Sequence, residues 1–397
     1  MKYTQSHRSV FYALLILIAY IPIFFYYNLI AKFCSWLPTT ISTYLTCIFL
    51  LFEFIFAFRC GYFQKYKTVI PLIALMLIFM LGTVIKTNSG KDVLLQLIMV
   101  LFTTFLLSSQ RLSESETDIL YGLFLFVVCL ILINADSGEE HQWSIYKFNP
   151  NSGGFLCSLA VMCAVAMFFK TRKFIHVLFI VVGFAAQFYF LSRAAFLGCL
   201  LFIALFIVGL VIKKNIGGSF MFWTALSLAV FGVILAFIYS ILLPRVISRG
   251  EIKIFGKDLF TGRDIIWAEI FKSLPSDLLF GLGTHFNGEL LNDTGNILVQ
   301  NAHNQPLGVL AVFGAVTFFL FYCLYAYFAS EPCRRFKMKF NYAAFPAAII
   351  VMSYFDVYFF SLYNSLAILV TYAIILNLTI DCNKKDVFYG DCLYADL

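Results

Sequence analysis

The chain has 397 residues, of which 62% are hydrophobic and 19% aromatic, while only 12% are charged. A soluble domain of this size would carry far more charge, so a soluble globular protein is excluded. The net charge of +7 is explained by basic residues at the ends of membrane helices, and no nucleic-acid partner is expected.

Apolar runs long enough to cross a hydrocarbon layer of about 30 Å recur along the whole chain. They predict an all-α polytopic membrane protein with about twelve transmembrane helices. A β-barrel is excluded, because barrel strands alternate in polarity whereas these runs are continuously apolar. The predicted spans are residues 11–30, 39–58, 68–85, 93–110, 118–134, 153–170, 174–191, 194–212, 219–243, 304–328, 342–358 and 363–380.

Basic residues concentrate in the connections that this arrangement of spans places inside, which predicts that both termini are cytoplasmic. The chain then divides into four parts. A transmembrane scaffold of nine spans occupies residues 1–243, and a large periplasmic loop follows at 244–302. Spans ten to twelve occupy 303–380, and a cytoplasmic tail completes the chain at 381–397.

Most of the eleven cysteines fall inside predicted spans or in loops assigned to the interior, and only Cys34 lies in a loop assigned to the exterior. An exterior disulfide framework is therefore not expected. The sequence contains no C-x-x-C motif, and its five histidines are scattered. Neither a metal nor a cofactor is predicted.

Two carboxylates lie within predicted spans, Glu53 in span two and Asp356 near the outer end of span eleven. Carboxylates inside a membrane are costly and often functional. The alternative for both is a structural bond to a neighbouring helix or to the interface. Asp356 lies on the same side as the long loop, which makes a functional role more plausible there than at Glu53.

The exterior loop before span six contains Asn149-Pro150-Asn151. This segment can cap the next helix while the proline stiffens the approach. The alternative is that the amide groups of Asn149 and Asn151 form hydrogen bonds with a sugar.

Spans seven and eight are joined by a very short connection that contains Arg193. An arginine in so tight an outer hairpin lies at the membrane boundary. Its guanidinium group could extend to phospholipid headgroups. It is also suited to bidentate binding of a phosphate group.

The long loop is basic in its first part, which includes Arg245 and Arg249, and acidic after Arg263. This division could hold an anionic leaving group beside a hydroxyl-rich acceptor, or it could be solvated surface. The sequence from Thr261 to Asp264 resembles a capping box at a helix start.

After this start, apolar residues recur at helical spacing until Pro275, which predicts a short amphipathic helix along the outer membrane–water interface. Its first turn places Arg263 in a region favourable for anions. Gly281-Leu282-Gly283 predicts a tight turn. His303-Asn304 opens span ten, where the imidazole could exchange a proton near neutral pH or could cap the helix.

Taken together, the motifs of residues 149–320 resemble those of the O-antigen polymerase and O-antigen ligase superfamily of bacterial envelope glycosyltransferases. Its members also have about twelve spans, a large exterior loop late in the chain and a histidine-asparagine pair leading into the next span. The resemblance is strongest at Gly262-Arg263 with Trp267, at Gly281-Leu282-Gly283, and at His303-Asn304 followed by Gly314. Thr317 departs from the family pattern, which often has glycine there.

The resemblance implies an undecaprenyl-diphosphate-linked oligosaccharide donor and a metal-independent transfer with inversion at the sugar carbon. Arg193 and Arg263 would bind the diphosphate, and His303 would orient or deprotonate the acceptor hydroxyl. Asn304, Asn149, Asn151, Arg245 and Arg249 are the candidates for further substrate contacts. The implied location is the bacterial inner membrane with a periplasmic active site, in contact with membrane lipid and with a chain-length regulator as a further candidate partner.

Three functions remain open at this point. The first is a polymerase that transfers a growing lipid-linked glycan onto the next lipid-linked repeat unit, for O-antigen or for capsular or exopolysaccharide. The Asn149-Pro150-Asn151 segment favours this function slightly. The second is a ligase that transfers the finished glycan to lipid A core. The third is a flippase or other transporter, which would need polar groups that line a path through the bilayer. Only Glu53 and Asp356 are clear candidates for this, and they lie near opposite ends of their spans.

Overall fold

The structure, a computed structural model, describes residues 69–88, 114–133, 136–137, 143–144, 150–212, 214–247, 253–254, 257–258, 262–283, 302–335, 338–356 and 362–379. Within these ranges there are ten α-helices and two antiparallel ladders of two-residue strands. The helices are α1 (Ile70–Thr87), α2 (Glu114–Ile133), α3 (Pro150–Thr171), α4 (Ile175–Phe190), α5 (Arg193–Ile212), α6 (Gly218–Phe237), α7 (Arg263–Ser273), α8 (Gln305–Arg335), α9 (Ala344–Met352) and α10 (Leu362–Thr379). The ladders pair β1 (Asp136–Ser137) with β2 (Trp143–Ser144) and β3 (Lys253–Ile254) with β4 (Lys257–Asp258).

Five helices in the described part of the chain are long and apolar enough to cross a membrane. These segments are Ile70–Thr87, Asn151–Thr171, Arg193–Ile212, Gly218–Arg245 and Gln305–Arg334. Together with the shorter apolar helices they make the described part of the chain helical, apart from the two very short ladders, and their length and composition indicate a membrane protein. The predicted spans at 11–30, 39–58 and 93–110 lie outside the described residues, as do Glu53 and Cys34. The total of twelve spans and the periplasmic placement of the loop therefore stay predictions.

The buried side chains form two cores. The first surrounds α3, which packs against α2, α4, α5 and α10. The second lies between α1, α6, α7 and α8. Because α7 belongs to the predicted loop, part of that loop is built into the helix bundle.

The connection between α4 and α5 is as tight as the sequence predicted. Helix α4 ends at Phe190, Leu191 adopts the left-handed conformation with φ of 50°, and α5 begins at Arg193. The first turn of α3 packs directly on this corner. A Cβ atom added at Gly153 would lie 2.6 Å from the Phe190 ring, and one added at Gly154 would lie 2.3 Å from Ser192 Cβ.

Helix α8 is broken at Gly314, where φ is 80° and ψ is 177°. Two contacts with α6 show that the chain changes direction there. Gly218 packs on the Arg334 side chain, whereas the Asn304 side chain donates a hydrogen bond to the Gly232 carbonyl. The two glycines are separated by about 21 Å of helix, but a straight helix from Asn304 to Arg334 would extend about 45 Å. The segment before Gly314 must therefore bend back relative to the segment after it.

The Gly281-Leu282-Gly283 segment docks on this break. The backbone N–H groups of Leu282 and Gly283 donate to the carbonyls of Ala311 and Val312, at 2.7 and 3.1 Å. The break interrupts the hydrogen bonding of the helix at these carbonyls, and the loop segment supplies donors for them. Unpaired backbone groups in an apolar environment cost several kcal/mol of free energy, so this pairing stabilises the irregular part of the helix.

The same loop segment also contacts α1. The Thr83 hydroxyl donates a hydrogen bond to the Phe280 carbonyl, and Lys86 forms an ion pair with Asp277. The rings of Phe79 and Phe280 stack with centroids 5.4 Å apart. Residues 277–283 thus connect α1 with α8.

Two local predictions concern helix α7. The helix begins at Arg263 with Gly262 as its N-cap, and Thr261, the residue predicted to cap it together with Asp264, lies outside the described residues. The apolar face of α7 is buried within the second core, and its location along the outer membrane–water interface stays a prediction. One prediction needs correction: span eleven was predicted to continue to residue 358, but its helix α9 ends at Met352.

Candidate functional site

His303 lies at the point where the chain enters α8, and its backbone has a φ of 46°. A residue other than glycine rarely has a positive φ, because its Cβ atom crowds the backbone. Such conformations persist where the surroundings enforce them, often at functional sites. The side chain is about one quarter exposed, at 26%, so a substrate can reach it.

The imidazole of His303 faces the carboxylate of Asp356. The distance from Nδ1 to Oδ1 is 3.6 Å, and the Asp356 side chain is only 10% exposed. This distance exceeds a hydrogen bond but is short enough for a strong electrostatic contact, and such contacts often tighten when substrate binds. A carboxylate on this side favours a proton on Nδ1, which leaves the lone pair of a neutral ring on Nε2.

Asn304 has two structural contacts. Its Oδ1 atom accepts a hydrogen bond from the Leu307 backbone N–H at 2.9 Å, which is the geometry of an N-cap. Its Nδ2 atom donates to the Gly232 carbonyl of α6 at 3.2 Å. The side chain is fully buried. In this structure Asn304 anchors α8 on α6, which is a different role from the predicted substrate contact.

The end of α9 is fastened to the same place, and this brings Asp356 to His303. The Gln305 backbone N–H donates to the Ser353 carbonyl at 2.8 Å, and the Tyr354 hydroxyl donates to the Leu228 carbonyl of α6 at 2.6 Å. A Cβ atom at Gly232 would lie 2.7 Å from the Tyr354 ring and 2.8 Å from Pro306. The absence of a side chain at Gly232 permits this close approach.

Arg263 is the first residue of α7 and is partly exposed. One turn later on the same side of the helix, the Trp267 indole Nε1 donates a hydrogen bond to the Ala302 carbonyl at 2.5 Å. Ala302 immediately precedes His303. Arg263 therefore lies about one helical turn along α7 from Trp267, whose hydrogen bond to Ala302 holds the residue before His303.

Arg193 is the first residue of α5, at the same end of the bundle as Asp356. Helices α5 and α9 pack where Gly198 meets Met352, since a Cβ atom at Gly198 would lie 1.9 Å from Met352 Cγ. Arg193 precedes Gly198 by five residues, and Asp356 follows Met352 by four. Asn215 near the end of α5 pairs with Lys339 just before α9, so these helices run in opposite directions. Arg193 and Asp356 thus lie on the same side of their contact.

For the remaining predicted site residues, the structure gives only the element on which each one lies. Asn151 lies in the first turn of α3, which packs on the corner that contains Arg193. Arg245 is exposed at the end of a 3-10 turn that follows α6. Asn149 and Arg249 lie outside the described residues.

Sequence reasoning missed two features of the site. Asp356 was recognised as a costly intramembrane carboxylate, but its pairing with His303 was not predicted, because sequence spacing does not reveal which helices become neighbours. Trp267 was assigned to an apolar helix face, and its hydrogen bond to Ala302 was not anticipated. A buried indole usually finds an acceptor, which was the available signal. Within the described ranges, no three His, Cys, Asp or Glu side chains form a potential metal site.

Residues 178–322 match the family described as O-Antigen ligase. No match was found among curated proteins or among solved structures. The matched region begins in α4 and ends in α8, so it contains Arg193, Arg263 and His303, whereas Asn151 and Asp356 lie outside it. The match over residues 178–322 supports the predicted resemblance to the O-antigen ligase and polymerase superfamily.

Proposed function

We propose that the protein is an inverting, metal-independent glycosyltransferase that polymerises undecaprenyl-diphosphate-linked repeat units at the periplasmic face of the inner membrane. The observation that carries this proposal is the contact between His303 and Asp356, 3.6 Å apart, next to the helix that begins with Arg263. An imidazole beside a carboxylate is suited to accept a proton from a hydroxyl group. The family match supports the broader class of reaction.

In this reaction the histidine acts on the acceptor sugar. His303 accepts the proton of an acceptor sugar hydroxyl, whose oxygen attacks the anomeric carbon of the donor. The bond between that carbon and the diphosphate oxygen breaks with inversion. Asp356 holds the imidazole and stabilises the positive charge that the ring acquires.

The arginines act on the diphosphate of the donor. Negative charge grows on the diphosphate as it leaves, and guanidinium groups stabilise such charge by paired hydrogen bonds. Arg263 and Arg193 fit this role because each begins a helix, where the backbone also favours anions. Arg263 begins the helix whose Trp267 bonds to the residue before His303, and Arg193 lies at the same end of the bundle as Asp356. These positions support the proposal of a single reaction centre.

A ligase is the second candidate, since the matching family is described as O-Antigen ligase. The two reactions differ in the acceptor, which is a lipid-linked repeat unit for the polymerase and lipid A core for the ligase. Glycan gel analysis of a deletion strain separates them. Loss of a polymerase leaves a single repeat unit on the envelope, whereas loss of a ligase leaves polymerised glycan on the carrier lipid. Accumulation of unpolymerised units inside the cytoplasmic leaflet would instead indicate a flippase and contradict the proposal.

Asp356→Asn is expected to lower chain extension by about 10²- to 10⁴-fold, because the amide neither stabilises the imidazolium nor enforces the required tautomer. The measurement is the rate of glycan elongation in membranes that contain equal amounts of each variant. Glu269→Gln is the matched control, since Glu269 lies on α7 and contacts only Lys272 among the ion pairs of the described residues, at 3.7 Å. Equal rates for Asp356→Asn and the control would refute the assigned role.

Arg263→Lys is expected to reduce activity by about tenfold or more, because lysine keeps the charge but cannot form paired hydrogen bonds with a phosphate. Arg172→Lys, an exposed arginine in the connection after α3, provides the control. Elongation rates of the two variants are compared at saturating donor. Wild-type behaviour of Arg263→Lys would show that charge alone is needed at this position.

A further inference from the structure

The backbone of His303 is held from both sides. On the following side, the Asn304 side chain caps α8 and the Gln305 N–H bonds to the Ser353 carbonyl. On the preceding side, the Ala302 carbonyl accepts the hydrogen bond from Trp267. His303 keeps its unfavourable φ of 46° between these contacts.

We infer that Trp267 is a positioning residue that fixes His303 in its reactive orientation and aligns it with Arg263. The inference rests on the proposed function, because it assumes that His303 and Arg263 act in one reaction. It adds a role for a residue whose burial would otherwise be attributed to packing alone. Trp267 itself does not touch the reacting atoms in this assignment.

The first support is that the indole is itself held firmly. Trp267 is fully buried, and its ring lies 5.0 Å from the ring of Tyr239. Tyr239 belongs to a π-helical turn, Ile238–Leu242, that continues α6. The indole N–H is therefore presented by a ring that is buried and packed against the continuation of α6.

The second support is the cost of losing the bond. Ala302 is 3% exposed, so a carbonyl left without its donor has little access to water. An unsatisfied buried acceptor destabilises the local conformation. Because a non-glycine residue prefers negative φ, His303 would relax toward another conformation once this contact is lost.

The third support is geometric. Arg263 and Trp267 are four residues apart on α7 and thus face the same side of the helix. The hydrogen bond from Trp267 reaches the residue that precedes His303. The Trp267 side chain therefore connects helix α7, which carries Arg263, with the segment that carries His303. Displacement of about 1 Å between such groups can reduce a rate about 100-fold.

Trp267→Phe removes the N–H donor and keeps an aromatic ring against Tyr239. Its glycan elongation is expected to fall about tenfold or more at saturating donor. The control is Phe271→Leu, which disturbs the packing of the same helix without removing a hydrogen bond. Protein amount and thermal unfolding in detergent are measured for both variants. If Phe271→Leu loses activity as strongly as Trp267→Phe, the effect is one of packing and the positioning role is refuted.

A second readout does not depend on catalysis. Diethyl pyrocarbonate modifies accessible imidazoles, and peptide mass spectrometry gives the rate at His303. Trp267→Phe is expected to raise this rate about threefold or more, because the histidine segment opens locally. Phe271→Leu is expected to leave it unchanged. An unchanged rate in Trp267→Phe overturns the inference.

Should Trp267→Phe fail to accumulate, benzothienylalanine at position 267 decides the question, since it keeps the shape of the indole and replaces only the N–H group by sulfur. The same losses are then expected, and wild-type elongation and modification rates would overturn the inference. Failure of the proposed function gives a different result. In that case His303→Ala keeps full glycan elongation, whatever the modification rate of His303 in the position-267 variants.

Discussion

His303→Ala is expected to abolish glycan chain extension while the protein still accumulates in the membrane at its normal level. The side chain is partly exposed and lies 3.6 Å from the Asp356 carboxylate, so its removal should cost little stability. Loss of the proton acceptor, by contrast, removes a contribution typically worth 10²- to 10⁴-fold in rate. The measurement is a glycan gel of a deletion strain complemented with the wild-type or variant gene.

A second substitution at the same position tests how the histidine acts. His303→Gln keeps a polar group that can orient a hydroxyl but cannot accept its proton near neutral pH. Inactivity of both variants supports proton transfer. Activity of the glutamine variant alone would show that orientation suffices, and long-chain glycan with the alanine variant would reject the catalytic assignment altogether.

Gly314→Ala is expected to destabilise the protein strongly. The backbone at Gly314, with φ of 80° and ψ of 177°, is a conformation that essentially only glycine adopts, and it costs other residues about 1–3 kcal/mol. In addition, the new Cβ atom would lie 2.2 Å from the Leu279 carbonyl oxygen. Backbone atoms on both sides would have to move, so the docking of residues 278–283 on α8 should be lost.

Gly122→Ala is the matched control, because nothing lies within 4 Å of a Cβ atom at that helical position. This change is expected to be neutral or to stabilise by up to about 1 kcal/mol. Thermal unfolding of both variants in the same detergent gives the comparison. Equal unfolding temperatures would show that the loop segment does not depend on the break in α8.

Local sequence signals predicted much of the helical framework. The α4–α5 corner, the start of α7 near Arg263 and its end before Pro275 were identified from short-range patterns. These features depend on turn chemistry and apolar spacing, which act over a few residues. His303 and Arg263 were likewise selected as candidates from their positions at helix starts, which the structure confirms, whereas their roles stay predictions.

The pairing of distant residues could not be predicted in this way. Asp356 approaches His303 because α9 ends early and the Ser353 carbonyl, which follows α9, accepts a hydrogen bond from the Gln305 N–H at the start of α8. The bend at Gly314 depends on donors from Leu282 and Gly283, which come from a separate part of the chain. No local pattern records such contacts, since they arise only when the helices pack.

The contact between Gly281 and Gly314 has a consequence for sequence comparison. Each glycine has a positive φ, and a Cβ atom on either one would lie within 2.7 Å of backbone nitrogen of the other. A larger residue at one position cannot be compensated by a smaller one at its partner, because the partner has no side chain to shorten. Related chains that keep this contact should therefore show two invariant positions without covariation between them. Methods that infer proximity from correlated substitutions would therefore not detect the contact between Gly281 and Gly314 that holds the loop on α8.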